Sequence, residues 1–205
     1  MRHFVYFTMS AALLLLSGCA QESGPTQVSG QVVDQVTGQP VAGTTVQVEQ
    51  AGRGGGFAAV GPSYATDGQG RFSFRFEAES EPTYIVRASS ELGHFTDRTR
   101  APDVKAGRKN EQVRVPVLAP AWVRIQLVDE PPKSRVSMYV SGYEGDGDRI
   151  NFPGDTTFIR YGLAHLTKNI YWVISDYTSS PTVVTEFRKQ IDAAALDTVT
   201  VRIVF

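Results

Sequence analysis

The chain of 205 residues contains one cysteine, three histidines and two tryptophans. With a single thiol no internal disulfide can form, so any folded core must hold without covalent staples. Lys/Arg-rich runs are missing, and 20 basic against 21 acidic residues leave a net charge of -1. That balance gives no electrostatic footprint for nucleic acid. The Gly-x-Ser-x-Gly elbow is missing too, and beyond the first segment only His94 and His165 remain, in unrelated settings. Ser–His or Cys–His nucleophilic catalysis therefore has no foothold, and no cofactor is implied. Long amphipathic helical periodicity is also lacking; Arg188 to Ala195 reads as one helical turn at most. No internal sequence repeat is visible.

What is present begins with an apolar stretch, Phe4 to Leu16, preceded by Arg2 and followed by the small residues Ser17 and Gly18. It has the charge, length and flanks of a signal peptide and is shorter than the ~20 apolar residues that span a bilayer. Leu16-Ser17-Gly18-Cys19 resembles the lipobox of bacterial lipoproteins. The resemblance implies that residues 1–18 are removed and that Cys19 carries a diacylglyceryl group on sulfur and an acyl chain on its new amine. More than one chain is needed for stable anchoring, because each buried CH₂ contributes only about 0.8 kcal/mol. Ala20, where some inner-membrane lipoproteins carry Asp, points to the outer membrane. The expected location is the cell envelope, with the membrane as partner through the lipid.

Residues 19–27 are polar and read as a lipidated tether. From Val28 the pattern has period two: Val28, Gly30 and Val32 on one face, then Thr44, Val46 and Val48 on another strand. The glycine-dominated Ala51 to Ser63 reads as a surface loop and lacks the Gly-Lys-Ser/Thr of a phosphate cradle. Tyr64 to Glu77 reads as a hairpin turning at Asp67-Gly68-Gln69-Gly70, with Phe72, Phe74 and Phe76 on one side. Thr83 to Ala88 follows as a strand. Glu91 to Asn110 is a polar connection, and Val113, Val115 and Val117 form a closing strand.

Gly30, Thr37-Gly38-Gln39-Pro40, Gly43 with Val46, and Thr66-Asp67 with Gly70 and Phe72 are together similar to the carboxypeptidase regulatory-like domain. The likeness covers residues 28–118 and implies a transthyretin-like β-sandwich, a non-catalytic module named for the enzymes it accompanies. A zinc peptidase would need a His-x-x-Glu pair; the nearest stretch, His94-Phe95-Thr96-Asp97, ends in Asp without helical context. After Ala119-Pro120-Ala121, residues 119–205 alternate again and read as a second β domain. The expected fold class is therefore all-β, a transthyretin-like antiparallel β-sandwich followed by a second small β-sandwich.

Two constellations in the second half could carry function. Glu144, Asp146, Asp148 and Asp155 are spaced like an EF-hand, but Arg149 occupies the position where the loop needs glycine. An inter-strand Ca²⁺ site and a solvated acidic loop are the two readings. Tyr139 and Tyr143, opposite Val136, Met138 and Val140, and Tyr171 and Tyr177, opposite Ile170, Trp172 and Ile174, form tyrosine rows. Such rows dock a protein, stack on sugar rings, or only stiffen the sheet through cross-strand pairs. Trp122 and Trp172 read as core. The expected function is a membrane-anchored, non-catalytic module that binds an envelope protein, with surface carbohydrate binding through the tyrosines as the alternative.

Overall fold

In the computed structural model, residues 23–52, 54–132 and 135–205 are described. Fourteen strands and a single 3-10 turn, Arg98–Arg100, account for the regular structure among them. The fold is all-β, and its strands sort into two sets that share no sheet.

The first set comprises β1 (Gly24–Asp34), β2 (Thr44–Ala51), β3 (Phe57–Ala65), β4 (Arg71–Ala78), β5 (Tyr84–Ser90), β6 (Asp103–Val104) and β7 (Lys109–Val117). They form a three-stranded sheet ordered β4-β1-β7 and a four-stranded sheet ordered β3-β2-β5-β6. The second set comprises β8 (Pro120–Val128), β9 (Val136–Ser141), β10 (Asp148–Asn151), β11 (Thr156–Leu163), β12 (Lys168–Asp176), β13 (Val183–Ile191) and β14 (Thr198–Val204). Its sheets run β11-β8-β14 and β10-β9-β12-β13. Adding seven to each strand number of the first set reproduces the second, in order and in the sense of every pairing. The halves are one topology used twice, although no repeat shows in the sequence.

The sheets are not purely antiparallel. In each half the last strand lies parallel beside the first, β7 beside β1 and β14 beside β8. Alternation of buried and exposed side chains aims one face of each sheet at its partner. Phe72, Phe74 and Phe76 on β4 face Val46, Val48 and Val86, with Val28, Val32, Val115 and Val117 completing one core. Val123, Ile125, Leu127, Met138, Val140, Ile170, Val201 and Ile203 form the other. Leu118 and Ala119, between the two sets, are buried. Leu118 exchanges two backbone hydrogen bonds with Phe95 (N···O 2.8 and 3.2 Å), while the Ala119 carbonyl accepts from Ala164 N–H at 3.0 Å. Pro120 also bounds the glycine at Gly93, whose Cβ would lie 3.3 Å from its ring.

Several local expectations change. Tyr64 to Glu77 is not a hairpin: β3 pairs with β2 and β4 with β1, so the turn carries the chain from one sheet to the other. Asp67 Oδ1 accepts the N–H groups of Gln69 and Arg71 (both 2.8 Å), and Gly70, at φ +70°, packs so closely that a Cβ would meet Val41 O at 2.6 Å. Turn chemistry is the same whether the flanking strands pair or diverge. Tyr64 then stacks on Phe74 across the sandwich (centroids 4.2 Å apart). Most of Ala51 to Ser63 is strand, because β3 is an edge held by backbone pairing to β2 rather than by apolar side chains. Of the expected tether, Gly24 to Gln27 belongs to β1 and pairs with β4; Thr26 is fully buried and its hydroxyl accepts from Gly107 N–H at 2.8 Å. Arg188 to Ile191 is strand, not a helical turn. Trp122 sits on the outward face of β8, half-buried, since its neighbours Ala121 and Val123 take the inward face.

The tightest constraint is at Gly30. On β7, three residue steps from Asn110 to Val113 match the two from Val28 to Gly30, with Gln112 at φ +57° absorbing the excess. A Cβ on Gly30 would stand 1.9 Å from Val113 O, backbone that cannot swing aside. We expect Gly30→Ala to cost about 3 kcal/mol or more of stability in urea unfolding, the upper range of overpacking penalties. A cost below about 0.5 kcal/mol, the range of neutral surface substitutions, would mean that this approach is not tight.

Candidate functional site

The outward face of the β10-β9-β12-β13 sheet collects the candidate side chains. Register places Arg149, Tyr139, Val173 and Glu186 in one row across four strands. The next row holds Ser141, Tyr171 and Arg188; on the other side lie Asn151, Ser137, Ser175 and Val184. Tyr139, Tyr171 and Tyr177 are 38, 47 and 42% exposed, so three of the four tyrosines do share one face.

Two of them are held. The Tyr139 hydroxyl donates to the carbonyl of Asp146 at 2.6 Å, and its ring lies where a Cβ on Gly147 would be, 2.7 Å from the hydroxyl. Tyr177 extends past the end of β12. Its N–H donates to Arg135 O at 2.8 Å and its hydroxyl sits 3.3 Å from Ser137 Oγ. Together Ser137, Tyr139, Arg149, Val173, Ser175 and Tyr177 line an open hollow of about 240 Å³. Tyr171 lies one row away beside Arg188, outside the hollow.

Tyr143 is not on this face. Gly142, at φ +105°, breaks the alternation at the end of β9; a Cβ there would meet Asn169 O at 2.1 Å. The chain turns inward and Tyr143 is buried, donating to Val140 O at 2.9 Å and bonding to Asp148 Oδ2 at very short range. Burial first, and the Asp148 carboxylate second, push its phenol well above the usual range.

The acidic residues do not converge. Asp148 accepts from Arg160 Nε (2.8 Å) and Nη2 (2.6 Å), a fork-like pair that ties edge strand β10 to edge strand β11 of the other sheet. The Glu144 carboxylate pairs with Lys168. Asp155 Oδ1 accepts the Asp129 N–H at 2.9 Å, and at Asp146 it is the carbonyl, not the carboxylate, that holds Tyr139. Among the described residues no group of three or more His, Cys, Asp or Glu side chains is placed to hold a metal ion, and Glu144, Asp146, Asp148 and Asp155 do not form the Ca²⁺ cluster that their spacing suggested. Their spacing suits calcium, but Asp148 and Glu144 are aimed at cations and Asp155 at a backbone N–H instead.

His94 is buried and its Nδ1 lies 2.9 Å from Ser90 Oγ; burial lowers its pKa, with Asp34 opposing. Asp97 caps the 3-10 turn through Thr99, so the His94 to Asp97 stretch is structural. Sequence reading missed Arg149 and Arg188 on the tyrosine face, which only cross-strand register reveals. It also missed Trp122 beside Tyr161 on the outward face of the other sheet. Cys19 and the lipobox lie outside the described residues.

No family model matches the chain, and no curated protein does. Among solved structures it is similar to a DUF3823 family protein from Bacteroides uniformis (15% identity, 83% of this chain and 99% of that one, TM-score 0.29). It is also similar to the minor pilin GBS52 of Streptococcus agalactiae (13% identity, 89% and 95%, TM-score 0.37). A streptococcal ancillary pilin matches as well (16% identity, 87% and 62%, TM-score 0.36). These likenesses say nothing about what this chain binds.

The Asp148–Arg160 bond has a pH signature. Arg160 holds the Asp148 carboxyl below the usual range, with the Tyr143 hydroxyl adding to the effect. A carboxyl depressed in the folded state stabilises above its unfolded pKa of about 3.9, and that contribution is lost as pH falls through the folded value. We expect Asp148→Asn to melt at lower temperature than the parent at pH 6 to 7, with the gap closing below about pH 4. A gap independent of pH would sink the assignment.

Proposed function

We propose that the chain is a membrane-tethered, non-catalytic interaction module of the bacterial envelope. The lipid on Cys19 holds it, and the outward face of β9 and β12 docks a protein partner. The observation that carries the reading is the shared exposure of Tyr139, Tyr171 and Tyr177, two of them with their hydroxyls fixed. Rings already held lose little entropy when covered, and Tyr with Arg is the composition of energetic anchors at interfaces. Arg149, which forms no ion pair with any described residue, sets the partner's chemistry: an acidic side chain opposite it, beside an apolar group over Val173. The resemblance to a carboxypeptidase regulatory-like module in residues 28–118 supports a spacer or scaffold role for the first half, and the Leu118–Ala119 step is the proposed domain boundary.

Carbohydrate is the second reading, favoured by the hollow itself. Its aromatic walls stand beside the hydroxyls of Ser137 and Ser175 and the Arg149 guanidinium, groups that suit a sugar ring and its hydroxyls.

Truncation of Tyr139 or Tyr171 to Ala is expected to weaken partner binding about thirtyfold, the scale of a hot-spot loss. Co-purification of a stoichiometric envelope protein by the parent, lost in Tyr139→Ala and Arg149→Ala, supports protein docking. Glycan-array binding lost in the same variants supports carbohydrate; binding that survives all of them overturns both.

The tether is tested separately by fractionating cells that express the Cys19→Ala chain. It should lose the lipid and the processing that removes residues 1–18. Processing identical to the parent together with retention after a carbonate wash would refute lipid anchoring through Cys19.

A further inference from the structure

We infer that β13 is a self-association edge: Val183–Ile191 pairs antiparallel with the same strand of a second copy, about a two-fold axis at Phe187. The inference does not depend on the tyrosine face having a ligand.

β13 pairs with β12 over nine consecutive residues without a register shift, and no strand among the described residues covers its other edge. Every residue from Val183 to Gln190 is exposed, on both faces, including Val183 (51%), Val184 (57%) and Phe187 (42%). The cause lies in the layering. The ion pair Asp148–Arg160 locks β10 over β11, so the four-stranded sheet overhangs its three-stranded partner at the other side. Phe187 keeps one ring face on Trp172, with centroids 5.5 Å apart and planes 14° from parallel. The rest of the strand projects into solvent.

Unpaired edges invite pairing with other chains, and proteins blunt them by keeping them short, by adding proline or a bulge, or with charged side chains; β13 has only the last, and its Glu186 and Arg188 can satisfy each other across a two-fold axis. The first half uses length and proline. Its equivalent edge, β6, is two residues long, Asp103–Val104, and follows Pro102. β13 occupies the same place in the topology with nine residues, no proline, no glycine and no bulge.

The sequence of β13, VVTEFRKQI, is complementary to itself in one register. Centred on Phe187, the pairing sets Glu186 opposite Arg188 of the second copy and Arg188 opposite its Glu186. Val183 then faces Ile191, Val184 faces Gln190, Thr185 faces Lys189, and the two Phe187 rings meet. Moving the axis one residue along would put Arg188 opposite Arg188, and one residue back Glu186 opposite Glu186, both repulsive. Glu186 and Arg188 have no ion-pair partner among the described residues of their own chain. The axis is perpendicular to the sheet, so joining the two sheets keeps the tyrosines of both copies on one continuous face.

The test is sedimentation equilibrium of the full chain in detergent solution over a range of concentrations. The parent is expected to dimerise reversibly. Glu186→Arg and Arg188→Glu should each weaken the dimer about tenfold or more, since two attractive cross-strand pairs become repulsive. The double variant E186R/R188E should recover it, and an equimolar mixture of the two single variants should form heterodimers. Phe187→Cys should cross-link to itself under mild oxidation, whereas Val36→Cys, equally exposed in the first half, should not. Unchanged melting temperatures would show that these surface substitutions leave the fold intact. The inference is overturned if the parent stays monomeric at several hundred micromolar, or if charge reversal leaves the dimer unaltered. Cross-linking of Phe187→Cys to a different envelope protein alone would also overturn it, giving the edge to another occupant.

Discussion

In each half of the molecule the last strand returns to lie parallel beside the first, and the remaining architecture depends on that closure. Parallel neighbours cannot be joined by a tight turn, so the chain between them must cross out of the sheet and come back. In the first half β2, β3, β5 and β6 build the facing sheet, while β4 crosses over to flank β1; β9 to β13 repeat the pattern. Each closing pair is distant in sequence and becomes stable only once the core is buried behind it. No disulfide helps. The closures rest on fully buried aliphatic residues, Val28, Val32, Val115 and Val117 in one half and Ile125, Val201 and Ile203 in the other. In the first half closure also demands a residue with no side chain, Gly30, because a bulge in β7 brings the two backbones together.

Two copies of one wiring diagram differ mainly in how their edges are finished. Where β3 meets β4 the first half uses a face-to-face stack of Tyr64 on Phe74, an apolar closure. Where β10 meets β11 the second half uses Asp148, Arg160 and Tyr143, a charged and hydrogen-bonded one. The exchange matters beyond stability, since a partly exposed ion pair contributes little free energy on average. Its fork geometry instead fixes the lateral position of one sheet over the other. That position determines how far the opposite edge overhangs.

The alternation of β1, β2, β4, β9, β12 and β14 was legible in the sequence because each has one dry face and one wet one. So was the outward aim of Tyr139 and Tyr171, which follows from the same period of two. What could not be read has specific physical causes. Asp67 to Gly70 makes the same hydrogen bonds in a hairpin as in a crossing between sheets, so turn chemistry alone cannot tell them apart. β3 and β13 are edges with little or no buried face, and without a buried face a strand loses its pattern; one looked like a loop and the other partly like a helical turn. Tyr143 falls in step with Tyr139 on paper, but Gly142 takes a backbone conformation that turns the chain inward between them. The four acidic residues have calcium-like spacing, yet only three-dimensional neighbours reveal that Arg160, Lys168 and a backbone N–H already claim three of them. The duplication is invisible for a deeper reason. Topology constrains which positions are apolar, and many sequences meet that requirement without resembling one another.

The features with no purpose in the fold are therefore the ones that most narrow its role. Burial accounts for the cores, and close backbone approach accounts for Gly30, Gly70 and Gly142. Neither accounts for a nine-residue edge that exposes Val183, Val184 and Phe187, nor for tyrosines held rigid in solvent by Asp146 and Ser137. Leaving apolar groups in water and fixing side chains that could move both cost free energy. Both features lie on the same four-stranded sheet of the second half. The first half, with the same wiring, shortens the corresponding edge to two residues. The asymmetry between two otherwise equivalent units is what sets the proposed interaction surface in residues 120–205 rather than in residues 24–117.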